Sequence, residues 1–332
     1  MEERKRYVKD VFMGRYVIRR LFMSAVIIFL TAILIFTVVY LIPTDPVKLL
    51  MGSDATQEEV EFKRHEMGLD APYIVQLGRF LNQLFLHGDF GTSWRRGTSV
   101  SEELFKRIPR SAMIGITCAV ISTAIAIPLG VTAARHQNQW QDRFCMVFGM
   151  MCVSIPDFWL ALMMVILFGL KLGWLPSFGI GTWKHYVMPI IAGSLHGIGS
   201  LARQTRSSML EVIRSDYITT ARAKGLAERK VVYKHMLPNA LIPVITVVGH
   251  TFSRIIGGSV VIEQVFSIPG VGTYMTTAIQ TRDYPITRAC VVFLSGFTAI
   301  MLIIVDLAYA YVDPRIKAQY IGQVKRKGKS NG

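Results

Sequence analysis

Charged residues are scarce in this sequence, in which 52% of the residues are hydrophobic and only 18% are charged. A soluble protein of 332 residues would need more charge to cover its surface, so the composition favours a membrane protein. Cysteine is scarce as well, and the few present fall within apolar segments without metal-ligand spacing. We therefore expect four free packing cysteines, Cys118, Cys145, Cys152 and Cys290.

Complete catalytic motifs are also missing. The segment "HEMGL" begins like a zinc-binding helix, but Leu69 stands where the second histidine is needed. The tail ends like a phosphate-binding loop, yet five residues rather than four separate Gly322 from Gly328, and no predicted strand precedes them. We predict that the chain is not an enzyme, holds no metal or cofactor, and does not itself hydrolyse ATP.

Long apolar runs are the most prominent feature that is present. A helix of about 20 residues crosses the roughly 30 Å hydrocarbon core of a bilayer. Five runs reach this length, and a sixth, 187–202, is short but carries Gly193 and Gly197 four residues apart, which allows close helix packing. The sequence predicts an all-α, polytopic membrane protein with about six spans at 21–42, 112–134, 144–170, 187–202, 241–262 and 289–312.

The distribution of basic residues predicts the orientation of these spans. If both termini are cytoplasmic, most lysines and arginines fall on the cytoplasmic side, as the positive-inside rule requires. The net charge of +15 then reflects topology and anionic lipid rather than nucleic-acid binding. The first apolar run is longer than a signal-peptide core of about 7–15 residues, so we expect it to remain as an anchor. The predicted organisation is a cytoplasmic N-terminus 1–20, a first span 21–42, an extracytoplasmic loop 43–111, a five-span core 112–312 with a cytoplasmic loop 203–240, and a cytoplasmic tail 313–332.

The sequence of the loop 43–111 predicts that this segment forms a small cap on the membrane-spanning part of the protein. It contains helical patterning around "QEEVEFKRHEMGL", an amphipathic stretch "YIVQLGRFLNQLF" and the turn-rich "HGDFGTSWRRGTS". A second irregular stretch, "EQVFSIPGVGTYMTTAIQTRDYP", is too polar and too rich in Pro and Gly for a seventh span. Its patterning between Gly272 and Gln280 predicts a short helix folded back toward the extracytoplasmic face.

The sequence of the loop 203–240 predicts a basic helical hairpin. Apolar residues recur every four positions at Met209, Ile213, Tyr217 and Ala221, so the fourth span should continue as a helix into the cytoplasm. Gly225 follows the basic turn "RAK", where a helix end often needs positive φ. Leu226 can close that turn, and Glu228 suits the positive end of the next helix. The alternative is an amphipathic element that lies on lipid headgroups.

Several segments carry a family resemblance. "TARAKGL" followed by "HMLPNALIP" resembles the cytoplasmic signature loop of ABC importer permeases, which reads EAA, three residues, G, nine residues, I-x-L-P. Gly225, Leu237 and Pro238 match this pattern, Ala221 matches its second alanine, and Thr219, Thr220 and His235 depart from it. These departures are similar to the peptide and nickel subclass. Six further segments are similar to the same subclass: "LIPTDPV", "GLDAPYIVQLGRFL", "GDFGTSW", "SIPDFWLALMMVILFGLKLGWLPSFG", "VIEQVFSIPGVGTYMTTAIQTRDYP" and "DPRI".

The chain thus resembles the B-type permease subunit of bacterial dipeptide, oligopeptide or nickel ABC importers, with a type I importer fold in the cytoplasmic membrane. The resemblance implies a pore formed with a second homologous permease, two cytoplasmic ATPases that bind ATP and Mg, and an extracytoplasmic solute-binding protein. It favours peptides as substrate, with nickel or another small solute as the alternative. A stand-alone secondary transporter remains a competing interpretation.

Within this resemblance the hairpin would be the coupling helix that docks on an ATPase. Small Ala221 would permit close approach, Gly225 would set the turn, and Arg222 and Lys224 would pair with acidic groups of the ATPase. The full set of predicted coupling residues is Tyr217, Ala221, Arg222, Lys224, Gly225, Leu226 and Glu228.

Two further groups of candidate residues lie elsewhere. His250 and Arg254 share one face of the fifth span, and an arginine there needs a partner or a water-filled path. One interpretation is a structural pair with Asp157 or Asp306; the other is that His250, Arg254 and Asp157 line a translocation path. At the extracytoplasmic end, the candidate gate or binding-protein contacts are Thr276, Gln280 and Asp283.

Overall fold

The computed structural model describes residues 2–312 except 44 and 53, with side chains described for 17–252, apart from those two, and for 260–307. Helices dominate this part of the chain, and its extended pairing is limited to an isolated bridge between Thr92 and Ser99. The helices are α1 Glu2–Tyr40, α2 Pro46–Met51, α3 Gln57–Glu66, α4 Tyr73–His87, α5 Val100–Arg135, α6 Trp140–Ser154, α7 Asp157–Met164, α8 Lys184–Ile213, α9 Asp216–Ala223, α10 Glu228–Lys230, α11 Leu237–Val265, α12 Val271–Thr281 and α13 Tyr284–Val312. Two π-helical stretches, Val165–Lys171 and Val231–Met236, continue α7 and join α10 to α11.

The described residues contain four helices that are long and apolar enough to cross a membrane, in α1, α5, α11 and α13. The pair α6 and α7 forms a fifth if it is counted as one bent span. Helix α8 contains the predicted weak span 187–202 but is less apolar than these spans. The prediction of an all-α, multi-span fold is confirmed, with α8 as its least apolar member.

The predicted third span, 144–170, is not one straight helix. Helices α6 and α7 meet at a bend of 93°. Pro156 lies at the bend, and proline disfavours the helical conformation of the residue before it. Ile155 accordingly is extended, with φ −78° and ψ 123°. Asp157 is therefore the first residue of α7 rather than a residue in mid-helix.

Helix α5 begins at Val100, well before the predicted span at 112–134. Ser99 starts it, because its hydroxyl accepts the backbone N–H of Glu102 at 3.4 Å, and Glu102 and Glu103 lie at the positive end of the helix. Polar residues in the first turns hid this start from a search for apolar runs. Helix α5 therefore extends into the segment that was predicted as the loop 43–111.

Helix α8 packs closely against α5, as the small residues predicted. A Cβ atom on Gly193 would lie 2.9 Å from Cys118 Sγ, and one on Gly197 would lie 2.6 Å from Ser122 Oγ. Ser122 also donates a hydrogen bond of 2.8 Å to the carbonyl of Ser194. The predicted packing role of Gly193 and Gly197 is confirmed. The four cysteines are free and buried, as expected.

The crossing of α6 and α8 gives a stability prediction. A Cβ on Gly199 would lie 2.5 Å from the carbonyl oxygen of Gly149, where neither backbone can yield easily. We expect Gly199→Ala to destabilise the protein by about 1–3 kcal/mol through overpacking. Gly296→Ala in α13 is the matched control, since its Cβ would meet Ile28 Cδ1 at an ordinary 3.7 Å. Thermal unfolding of the purified variants measures the difference, and equal midpoints for both would contradict the close crossing.

The cap consists of α2, α3 and α4 and rests on α1. The predicted polar and amphipathic helices are confirmed as α3 and α4, and α3 starts with a capping box between Thr56 and Glu59. Phe36 of α1 stacks on Phe80 of α4 at 5.4 Å between ring centroids. The hydroxyl groups of Thr37 and Tyr73 lie 2.7 Å apart and join the same two helices.

Candidate functional site

The basic hairpin is formed by α9, a tight turn at Gly225, and α10. Gly225 has φ +75°, the left-handed conformation that the sequence predicted. Its N–H donates to the carbonyl of Arg222 at 2.9 Å, and the N–H of Leu226 donates to the carbonyl of Ala221 at 3.4 Å. These two bonds are the paired bonds of a Schellman motif. The turn is therefore built from backbone geometry that glycine adopts without a Cβ clash.

The helix that enters the hairpin is not continuous with α8, contrary to the prediction. Helix α8 ends at Ile213 and α9 begins at Asp216, because Ser215 is extended at φ −78° and ψ 145°. The break changes which residues of α9 are buried. Ile218 is fully buried, whereas Tyr217, part of the predicted apolar stripe, is 46% exposed.

A small apolar core lies beneath the hairpin. Ala221 is buried there, 8% exposed, and Leu226 packs against the same core. The predicted interpretation that Ala221 permits close approach of an ATPase is therefore corrected: its small side chain lets α9 pack inside its own hairpin. The core comprises Val131, Ala134, Met209, Ile218, Ala221, Val231, Val232, Met236 and Ala240.

A bidentate ion pair closes the hairpin across Gly225. Arg222 donates from its terminal nitrogen to Glu228 Oε1 at 2.7 Å and from Nε to Glu228 Oε2 at 3.1 Å. The hydrogen bond to Glu228 raises the pKa of Arg222 above its ordinary value. Both side chains are nearly half exposed, so the pair contributes about 1 kcal/mol at most. Arg222 was expected to pair with an acidic group of an ATPase, but its partner here belongs to the hairpin itself.

The exposed tip of the hairpin is basic. Lys224 is exposed, and a shallow cleft of about 480 Å³ is lined by Ala227, Arg229, Lys230 and Tyr233. None of these four cleft residues was among the predicted coupling residues, although the run "ERKVVYK" signals a basic helix face.

A buried ion pair at the base of the hairpin was missed by the sequence analysis. Asp142 of α6 is 3% exposed and bonds Arg206 of α8 through two contacts, one of them 2.7 Å between Arg206 and Oδ2. The same carboxylate accepts the backbone N–H of Asn138 at 2.9 Å, in the turn between α5 and α6. One carboxylate thus joins α8 to the start of α6 and to the turn between α5 and α6. The two residues are 64 positions apart, so no local pattern could pair them.

The candidate path residues are only partly placed. Asp306 of α13 forms an ion pair of 2.9 Å with Arg20 of α1. His250 is exposed on α11 and lies within electrostatic range of Asp306. Asp157 is half-buried at the start of α7. The side chain of Arg254 lies outside the described residues, and its pairing stays a prediction.

The predicted short helix between Gly272 and Gln280 is present as α12. Glu263 of α11, which is fully buried, accepts the N–H groups of Gly272 at 2.8 Å and Thr273 at 3.1 Å. This carboxylate caps the positive end of α12 and was not predicted. Thr276 donates to Gln264 Oε1 at 2.6 Å, and Gln280 is exposed.

Asp283, the third candidate for a gate or binding-protein contact, is buried. It is 2% exposed and accepts hydrogen bonds from the Ser93 hydroxyl at 2.5 Å and the Trp94 N–H at 3.3 Å. Buried polar groups need such partners. Ser93 and Trp94 belong to the segment "GDFGTSW", which lies in the connection 88–99 between α4 and α5; we call this connection the cap loop. Asp283 therefore joins the cap loop to the turn between α12 and α13.

Arg288, also unpredicted, lies among aromatic rings close to Asp283. Its guanidinium carbon is 5.1 Å from the Phe36 ring centre, 5.0 Å from Phe80 and 5.8 Å from Trp94. Such cation–π contacts contribute about 0.5–2 kcal/mol each. Its buried Nε has no hydrogen-bond partner among the described residues. The rings come from α1, α4 and the cap loop, which meet only in the folded chain.

Asp89 gives the cap loop its shape. Its carboxylate accepts hydrogen bonds from Gln83 at 2.8 Å, Gly91 N–H at 3.0 Å and the Ser101 hydroxyl at 3.0 Å. The bond from Gln83, followed by that from Gly91, holds the pKa of Asp89 below its ordinary value. The loop that presents Ser93 and Trp94 is therefore fixed on both sides.

The chain matches a known protein family over most of its length. Residues 126–318 match the family of binding-protein-dependent transport system inner membrane components, and residues 13–115 match the N-terminal family of the same membrane components. The chain belongs to this permease family. It is accordingly a multi-pass inner-membrane subunit that works with ATPases and a solute-binding protein.

Named relatives of the permease cover nearly all of it. A protein of Brucella abortus strain 2308 named as a candidate peptide transport system permease is 40% identical over 313 residues, 92% of this chain and 99% of the relative. The glutathione transport system permease protein GsiC of Salmonella paratyphi A is 37% identical over 305 residues, with the same two coverages. An inward-facing structure of the MetNI methionine ABC transporter covers 63% of this chain and 96% of its own, with a TM-score of 0.54 at 19% identity. That last likeness concerns the fold alone.

Proposed function

We propose that this permease forms part of the pore of an ABC importer that moves di- or oligopeptides across the cytoplasmic membrane. The observation that carries the proposal is the exposed hairpin: a basic tip around Gly225 held on a buried core, with the shape of a docking element. Relatives named for peptide and glutathione transport support peptides as the substrate class. ATP hydrolysis would reside in separate subunits that bind ATP and Mg.

The hairpin would dock in a groove on an ATPase. Tyr217, Lys224 and the cleft lined by Arg229 and Lys230 are the exposed groups that an acidic groove would meet. Arg222 and Glu228 would hold the tip in shape rather than contact the ATPase directly. Docking alone does not couple ATP hydrolysis to transport. Coupling requires that the hairpin bind two states of the ATPase with different affinity.

The remaining assembly follows the same proposal. Both termini and the loop 203–240 would be cytoplasmic, a second homologous permease would complete a heterodimer, and two ATPases would bind below. The cap and α12 would face the solute-binding protein. The face of α11 that carries His250 and Arg254, together with Asp157, would line the path, and poor uptake of peptides with a free carboxylate by Arg254→Gln would support this.

Reconstitution tests the function. The permease is combined with its partner permease, two ATPases and the binding protein in vesicles, and uptake of a labelled dipeptide, a labelled oligopeptide and nickel is compared. We expect peptide uptake that needs both ATP and the binding protein. Uptake by the permease alone would indicate a secondary transporter, and uptake of nickel without peptide would favour the alternative substrate.

Cysteine crosslinking tests the proposed contacts. Gln280→Cys, at an exposed site on α12, should capture the binding protein, and Thr276→Cys should do so more weakly because its side chain is half-buried. Lys224→Cys on the hairpin is the control and should capture an ATPase instead. Labelling of Gln280→Cys from the cytoplasmic side would show that the proposed topology is reversed.

A further inference from the structure

The extracytoplasmic cap is joined to the membrane core through a polar cluster that the proposed function leaves unused. We define the latch as Ser93 and Trp94 of the cap loop together with Asp283, Tyr284 and Arg288 at the start of α13. Ser93 and Asp283 are each 2% exposed, and their side chains are joined by a hydrogen bond of 2.5 Å. The Trp94 ring meets the Tyr284 ring edge-on at 5.8 Å. The two segments are about 190 residues apart in sequence, so the latch forms only when the cap sits on the core.

Helix α12 is held at both ends, but by different parts of the molecule. Its first turn is capped by Glu263 of α11, which belongs to the membrane core. At its other end the Asp283 N–H donates to the carbonyl of Ala278 at 2.8 Å, within the last turns of α12. The Asp283 carboxylate simultaneously binds the cap loop. A displacement of the cap loop would therefore reach the end of α12 through Asp283.

Arg288 extends the latch to the rest of the cap. Its guanidinium lies between rings of α1, α4 and the cap loop, so one side chain of α13 contacts all three elements. A methionine or leucine would fill this space without leaving Nε unpartnered. Burial of this charge is costly, and its contacts with three rings fix the relative positions of α1, α4 and the cap loop.

We propose that Arg288 and Asp283 are positioning residues that transmit docking of the solute-binding protein on the cap to helix α12. This rests on the proposed function, in which the cap and α12 face that protein. The latch stays closed while the cap, α12 and the start of α13 move together. Neither residue needs to touch the binding protein or the substrate, which agrees with the burial of Asp283.

The test compares stimulated with basal ATP hydrolysis in the reconstituted complex. Arg288→Met should assemble and retain basal ATP hydrolysis, whereas stimulation by the loaded binding protein should fall about tenfold, because the contacts to three rings are lost. Arg288→Lys, which keeps the charge, should recover part of the stimulation. Arg19→Met, at an exposed arginine of α1 far along that helix from Phe36, is the matched control and should behave as wild type. Wild-type stimulation in Arg288→Met would contradict the proposed role of the latch. The same conclusion would follow if both Arg288 variants lost assembly, basal activity and stimulated activity in parallel.

Covalent closure provides a second, independent measurement. Ser93→Cys combined with Asp283→Cys removes the hydrogen bond, so the reduced complex should respond poorly to the binding protein. A short bis-methanethiosulfonate reagent that bridges the two thiols should restore the response. A bridged complex that remains unresponsive would contradict the proposal that the latch stays closed. If the loaded binding protein does not stimulate ATP hydrolysis by the wild-type complex, the proposed function is contradicted. The proposed role of the latch is then contradicted as well.

Discussion

Replacing Gly225 by valine is expected to abolish coupled uptake while leaving the permease in the membrane. Gly225 has φ +75°, and a β-branched residue is strongly disfavoured there. A Cβ at this position would meet no atom within 4 Å, so the effect must come from the backbone and not from a steric clash with a neighbour. Strain of about 1–3 kcal/mol would depopulate the formed turn by roughly 5–150-fold.

The control for this experiment is Gly225→Asn. Asparagine tolerates the left-handed conformation and also points into open space, so it should retain most of the uptake. Membrane levels, ATP hydrolysis and peptide uptake are measured on the reconstituted complexes. Loss of uptake with preserved ATP hydrolysis in the valine variant identifies uncoupling. Full coupled uptake in Gly225→Val would remove the hairpin from the coupling mechanism.

Local sequence signals predicted the parts of this molecule that depend on local physics. The left-handed turn at Gly225 could be predicted because only a few residue types adopt positive φ. The close approach at Gly193 and Gly197 followed from the absence of side chains, and α4 followed from its helical periodicity. Each of these features is determined within a few residues of the chain.

The errors arose where one extended residue or one long-range contact decides the geometry. Ser215 interrupts the helix, so Ile218 is buried and Tyr217 is exposed although the four-residue spacing continues through Tyr217. Ala221 was interpreted as a contact residue because the core that covers it comes from α5, α8 and the segment after α10. The burial of Asp283 was not predicted, because its partner Ser93 is 190 positions away.

The buried pair between Asp142 and Arg206 carries the second large effect. Asp142→Ala should destabilise the assembled permease by about 3–5 kcal/mol, since it leaves the charge of Arg206 without its partner in a largely buried position. The turn between α5 and α6 loses a bond at the same time, because the Asn138 N–H then has no carboxylate. Thermal unfolding of the purified complex in one detergent measures the loss.

Two comparisons separate the buried pair from a general effect of removing charge. Glu66→Ala breaks the exposed pair with Lys63 on α3 and should cost about 1 kcal/mol or less. The exchange of Asp142→Arg with Arg206→Asp keeps both charges, and we expect it to recover part of the stability but not the bond to Asn138, since arginine cannot accept a hydrogen bond. Stability of Asp142→Ala equal to that of Glu66→Ala would mean that water reaches Arg206 at the base of the hairpin. In that case α6 and α8 would be held together by the glycine crossing at Gly149 and Gly199 rather than by charge.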